Sequence, residues 1–275
     1  MSIATVNRVY QPTVAGYFYP SDSETLREEV ARLTPAAMER IVATGVIVPH
    51  GLYRYAGAIM GETFGRVQIP RRCIVLGSNH TGCGKTWSVL THGAFQTPLG
   101  DVEIDGELAE ALRRACPLVM EDEIAHKREH AIEVLLPFLQ RLRPDGLTVM
   151  PLVINSRQPE EMAQVAEALA CVVRACSEPV LLIASADLTQ YEQRRITAEI
   201  DAQLLDAIRT LNAPLFLERV ESLKVNLCGA GPIACVLEAA RLLGSLEAQR
   251  VRYATSADAG GDPYSATGYA GIILR

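Results

Sequence analysis

Short apolar runs recur along the chain and stop at glycine, proline or small polar residues. Gly45-Val46-Ile47-Val48 ends at Pro49, and Cys73-Ile74-Val75-Leu76 ends at Gly77. Leu147–Ile154 and Pro179–Ala184 read as strands as well, the second closed by Ser185-Ala186-Asp187. Unalternated runs of this length are the pattern of strands buried on both faces. Between them, apolar residues return at helical spacing. Leu26, Val30 and Leu33 predict a helix over 22–34, with a capping box from Ser21 to Glu24 and a stop at Pro35. A small-residue helix is expected over 55–67, and others over 106–115, 160–175, 192–210, 214–220 and 232–243. Ile132, Leu135, Leu136 and Leu139 give one more amphipathic stripe over 131–142. Thr86–Thr91 and Val102–Ile104 predict short strands on either side of a turn at Thr97–Gly100. Strands over 251–255 and 268–274 close the chain around the flexible stretch DAGGDPYS. Strands alternating with helices imply an α/β fold with a central, mostly parallel or mixed sheet and helices on both faces. No repeat or low-complexity linker interrupts residues 1–275, so one three-layer domain is expected.

Composition narrows the function class. The net charge of −6 argues against a general nucleic-acid binder, which needs a basic surface to neutralise phosphates. Arg66, Arg71 and Arg72 cluster locally and read as a solvated loop rather than an anion site. The 7 cysteines form no CxxC pair, a usage that suits a reducing cytoplasm better than a disulfide framework or a structural zinc cluster. The first residues lack the apolar core of a signal peptide, and no apolar run approaches the ~20 residues of a membrane span. The expected setting is therefore cytoplasmic, with neither membrane nor nucleic acid as partner.

The stretch Cys73–Thr86 is the most suggestive chemically. Gly84-Lys85-Thr86 looks like the end of a P-loop, but that motif needs glycine where Asn79 stands. It also needs a helix next, and Trp87–Thr91 reads as a strand. A metal site fits better. His50, His80 and Asp187 each follow an apolar run, and Cys228 precedes a glycine and a helix. Ligand sites in open parallel sheets lie beyond the carboxyl ends of the strands, so residues far apart in sequence would meet at one sheet edge. Two imidazoles with a thiolate or carboxylate suit iron, copper or zinc, not magnesium or calcium.

The same residues carry a family resemblance. Val48-Pro49-His50-Gly51-Leu52-Tyr53 resembles A-P-H-[AG]-G-Y of the Memo family, and Leu76–Thr81 resembles its L-G-P-[SN]-H element. Arg128-Glu129-His130-Ala131-Ile132-Glu133 resembles D-E-H-S-[IL]-E, Ser185–Leu188 resembles S-S-D-[FL], and Cys228–Ile233 resembles C-G-x-x-P-I. Ala15–Pro20 resembles the A-G-S-[WF]-Y-P opening. The matches come in family order and run from about residue 15 to the C-terminus.

The resemblance implies a fold similar to the class III extradiol ring-cleaving dioxygenases. It implies metal ligands at His50, His80 and Cys228, with Asp187 and His130 nearby, and iron or copper redox chemistry, zinc being a further candidate. It also implies a small, aromatic-type substrate, with an AMMECR-type domain and a radical-SAM protein as functional partners. His130 is the candidate acid–base group, with Glu133 three residues on to orient it, and Asp187 a further ligand or an acceptor behind one. The Cys228 thiolate would be favoured by the metal and by the N-terminus of the helix it opens.

Three departures stand out. Gln190 occupies the place of a family histidine, Leu52 that of a glycine and Ser78 that of a proline. Glutamine hydrogen-bonds but does not shuttle protons near neutrality. Gln190 is therefore a pocket residue that leans toward the alternative expectation, a non-catalytic module binding phosphopeptides or proteins on the same fold.

Overall fold

The computed structural model describes residues 8–35 and 39–275. Along the chain run β1 (Val9–Tyr10), α1 (Ser23–Leu33), β2 (Gly45–Val48), α2 (Ala58–Gly65) and β3 (Arg72–Ser78). Then come β4 (Trp87–Val89), β5 (Ala94–Thr97), β6 (Gly100–Ile104), α3 (Gly106–Ala115) and β7 (Met120–Glu121). The second half holds α4 (Leu136–Leu142), β8 (Thr148–Ile154), α5 (Pro159–Ala175), β9 (Val180–Ser185), α6 (Arg194–Arg209), α7 (Ala213–Leu223), α8 (Ala230–Leu242), β10 (Ala248–Thr255) and β11 (Gly268–Leu274).

These strands form one sheet in the order β1-β5-β6-β8-β3-β9-β2-β11-β10. The stretch from β6 to β2 is parallel throughout. β11 and β10 extend it antiparallel on one side, and β5 returns antiparallel along β6 on the other. β8 shares one edge between two partners, β6 beside Thr148 and Val149 and the antiparallel β4 beside Leu152–Ile154.

Period-two side-chain alternation assigns the central strands to two separate cores. Ile47, Ile74, Leu76, Leu152 and Leu182 pack with α3, α5, α6, α7 and α8. Val46, Val48, Val75, Val153, Leu181 and Ile183 pack on the other face with α1, α2 and α4. Helices therefore cover both faces, as the alternation of strand and helix signals predicts. Gly61 is where α1 meets α2, because a β-carbon there would overlap the Leu33 carbonyl. No helix among the described residues is long and apolar enough to cross a membrane.

Four local expectations change. The N-cap of α1 is Asp22, not Ser21: its carboxylate accepts from the Thr25 N–H at 2.9 Å. The stretch expected as a helix over 131–142 starts as turns and a 3-10 turn at Glu133–Leu135, and only Leu136–Leu142 is α-helical, with Pro137 in its first turn. His130 thus lies in a loop. The helix expected over 55–67 begins as a π-helical turn, Tyr53–Gly57. Arg72, expected on a solvated loop, is 5% exposed inside β3, forked onto Asp105 with both N···O distances at 2.7 Å. The Asp105 carboxylate also accepts from Thr148 Oγ1 and caps α3 through the Leu108 N–H. The fork and these donors outweigh burial and hold Asp105 below the usual carboxylate range.

Candidate metal centre

β3, β9 and β2 are adjacent and parallel, so their carboxyl ends share one edge of the sheet. His80 lies two residues past β3, Asp187 two past β9 and His50 two past β2. Cys228 comes from elsewhere, on the loop entering α8. Gly229 lets that loop close, because a β-carbon there would overlap Ala186. The Ser78 hydroxyl then donates to the Cys228 carbonyl and ties the loop to the end of β3.

Each of the two imidazoles has one nitrogen committed. The Ser185 hydroxyl donates to the Ala131 carbonyl, leaving its oxygen to accept from His50 Nδ1–H at 3.1 Å. His80 Nδ1 lies 2.8 Å from Glu129 Oε1, and an ionised carboxylate only accepts, so this nitrogen carries the proton. In the neutral form of each ring Nε2 is therefore the nitrogen with a free lone pair; against burial, the Glu129 carboxylate raises the His80 pKa and so favours a proton or another cation there. His50 Nε2 faces Cys228 Sγ at 3.4 Å. Ligand atoms of His50, His80 and Cys228 lie within 4.8 Å of one another. A lone pair opposite a thiolate is repulsive unless a proton or a cation sits between them. Two imidazole nitrogens and a sulfur at this spacing fit a borderline or soft transition metal.

Glu129 anchors the site, and sequence reasoning gives it no role. It is 5% exposed and accepts from the His80, His130 and Ala131 N–H groups as well as the His80 ring. Burial alone would raise its pKa, but these donors bring it down to about 2. Arg128, immediately before it, has a left-handed backbone (φ 62°) at the turn that leads into Glu129. The available signal was the carboxylate directly preceding His130. His80, Glu129 and His130 form a second group at metal-ligand spacing, but the carboxylate is already filled by four N–H donors.

His130 stacks on His80 with ring centroids 4.5 Å apart and meets His50 edge-on at 5.5 Å. Burial, reinforced by these neighbouring rings, lowers its pKa to about 4, so it is neutral at pH 7. Burial first, then His80, takes His50 down to about 3. Asp187 receives the His50 backbone N–H at 2.8 Å, and its second oxygen lies 3.9 Å from His50 Nε2. Burial raises its pKa to about 6. Burial also pushes the Cys228 thiol up. Cys228 lies outside α8, whose N-cap is Gly229, and in the metal-free protein the helix does not offset that burial. Gln190 Nε2 lies 3.4 Å from the sulfur.

Glu133 does not orient His130. Its carboxylate accepts from Thr13 N–H and Oγ1, Val14 N–H and the Tyr19 hydroxyl. It pins the segment that sets Phe18 edge-on against His130, with centroids 4.9 Å apart. Its influence on His130 is thus indirect. Of the two remaining histidines, His126 bonds the Ser88 carbonyl and His92 sits beside Glu121, both apart from this cluster.

A family model described as Memo-like protein matches residues 10–273. The chain belongs to the Memo-like family. A MEMO1 family protein of Methanopyrus kandleri is 35% identical over 277 residues, covering 96% of this chain and 98% of its own. One from Aquifex aeolicus is 35% identical over 268 residues, covering 97% and 99%. A crystal structure of an uncharacterized Escherichia coli K12 protein shares the fold at TM-score 0.52 and 16% identity, covering 84% of this chain and 99% of that one. The cluster at the sheet edge is thus embedded in a Memo-like chain, and its open side is marked by His80 and His130, whose side chains are 29% and 19% exposed.

Proposed function

We propose that this Memo-like protein is a metal-dependent redox enzyme holding one iron or copper ion through His50 Nε2, His80 Nε2 and Cys228 Sγ. The observation that carries the reading is the pair of fixed tautomers. Ser185 and Glu129 each engage an Nδ1–H, which leaves two Nε2 lone pairs beside one sulfur. Such a metal would supply one-electron and oxygen chemistry at a three-ligand site with room for an exogenous group.

The remaining roles fall to the chain itself. Neutral His130 lies against both ligand rings and acts as the proton acceptor for a substrate entering past His80. Asp187 fixes the His50 backbone and sets its second oxygen on the Nε2 side of that ring. Phe18, seated on His130, supplies apolar surface at the entrance, and Tyr191 beside Gln190 is 69% exposed. Aromatic surface of this kind supports a small, planar substrate.

The test has two parts. Purified protein reconstituted anaerobically with iron(II), or with copper, is expected to hold about one equivalent, lost in His80→Ala and Cys228→Ala. Loaded protein is then expected to consume oxygen with one member of a catechol and small-aromatic panel, and His130→Ala to abolish uptake while keeping the metal. Undiminished metal content in both ligand variants would sink the site. Retained metal without turnover, joined to phosphopeptide binding that survives loss of the ligands, would favour a non-catalytic module.

A further inference from the structure

The Cys228 sulfur has an uneven environment. His50 Nε2 stands 3.4 Å from it, and the Asp187 carboxylate reaches 3.9 Å from that nitrogen. Gln190 adds a side-chain amide, with Nε2 at 3.4 Å. The opposite amide orientation would set a carbonyl lone pair against the sulfur, so the nitrogen belongs there.

Gln190 is also unusually well held. Its backbone N–H donates to the Asn226 carbonyl at 3.1 Å, tying it to the strand of chain that leads to Cys228. Before it, Thr189 is fixed by Asp201, which accepts its N–H, and by the Gly268 N–H, which its carbonyl accepts. After it, Tyr191 has a left-handed backbone (φ 63°), and Glu192 bridges to Ala266. A non-glycine residue in that conformation persists only where its surroundings over-determine it.

From this geometry we infer that Gln190 is a positioning residue for the Cys228 sulfur, its amide donating an N–H···S hydrogen bond that aims the thiolate toward His50 Nε2 and withdraws electron density from it. The inference rests on the proposed ligand role of Cys228 and adds a donor whose charge does not change with pH. A hydrogen bond to a metal thiolate lowers the energy of the sulfur electrons, as hydrogen bonds do at other sulfur-ligated centres.

The experiment uses full-length protein with Gln190→Leu, which keeps bulk and removes the donor, and Gln190→His, which restores one. Cobalt(II) alone is added to metal-free protein and the thiolate-to-cobalt charge-transfer absorption is recorded, with Cys228→Ser as the control. In parallel, metal-free protein is alkylated with iodoacetamide and Cys228 is followed by peptide mass spectrometry against the exposed Cys83. In Q190L the charge-transfer band moves to longer wavelength, and Cys228 alkylation slows about threefold relative to Cys83, lower thiolate population outweighing higher nucleophilicity. Q190H reverses both changes. A Q190L protein matching the parent in both readouts overturns the inference while leaving the metal centre intact. Absence of the band in the parent refutes the ligand role of Cys228 instead. In that case alkylation alone decides: slowing in Q190L retains the hydrogen bond, and an unchanged rate rejects it.

Discussion

The two edges of the parallel sheet each bury charged and polar side chains, with opposite outcomes. At the amino edge, Arg72, Asp105, Thr148 and the start of α3 satisfy one another. At the carboxyl edge, His50 and His80 are each held on Nδ1 by a polar partner, and their other nitrogens have only the Cys228 sulfur, 3.4 Å from His50 Nε2, gathered with them. A closed network is explained by folding alone. An edge where open lone pairs converge asks for something to fill it, because buried polar groups left unmatched lower stability and proteins keep that cost mainly at functional sites.

The contrast is most easily broken by stability measurements. Arg72→Leu leaves Asp105 buried without its partner and is expected to cost about 3–5 kcal/mol in denaturant unfolding. His80→Ala in metal-free protein is expected to cost about 1 kcal/mol or less, since Glu129 keeps three backbone donors. Equal losses in the two variants would erase the distinction.

The edges also differ in how they respond to pH. Asp105 is held below the carboxylate range, so its contribution is full above about pH 4 and disappears as pH falls through its depressed pKa. Asp201, which fixes Thr189 behind the histidine–cysteine cluster and accepts from the Tyr253 hydroxyl at 2.8 Å, behaves in the reverse sense. Burial raises its pKa to about 6, so the folded protein holds a proton that the unfolded chain has lost. The share of stability contributed by Asp201 should fall by about 2–3 kcal/mol as pH rises from about 4 to beyond 6. It is read as the pH-dependent difference in unfolding free energy between the parent and Asp201→Asn, which leaves the contributions of Asp187 and the buried histidines in both.

A smaller effect sharpens the carboxyl edge itself. Glu129→Gln keeps an acceptor for the His80 ring but sets an NH₂ group among backbone donors. Metal affinity, measured by chelator competition, should weaken about 10- to 100-fold. Smallest of all, Tyr191→Gly releases a left-handed side chain and is expected to raise stability by up to about 1 kcal/mol in thermal unfolding.

The strands of the parallel sheet were legible because their apolar runs are uninterrupted, and parallel order followed from the helices between them. That order brings His50, His80 and Asp187 to one edge. What sequence could not supply was the partner of each polar group. Arg72 looked solvated because Asp105 is 33 residues away in sequence. Glu133 looked like the partner of His130 at helical spacing, but the helix starts only at Leu136. Glu129 went unassigned because its importance lies in where four N–H groups point, and backbone direction in a loop leaves no periodic trace.

The most direct test of the central claim is an anomalous difference map from crystals of iron- or copper-loaded protein, recorded on both sides of the metal's absorption edge. The account predicts one strong peak bonded to His50 Nε2, His80 Nε2 and Cys228 Sγ. A peak at the His80, Glu129 and His130 group instead, or none at this sheet edge in fully loaded protein, would contradict it.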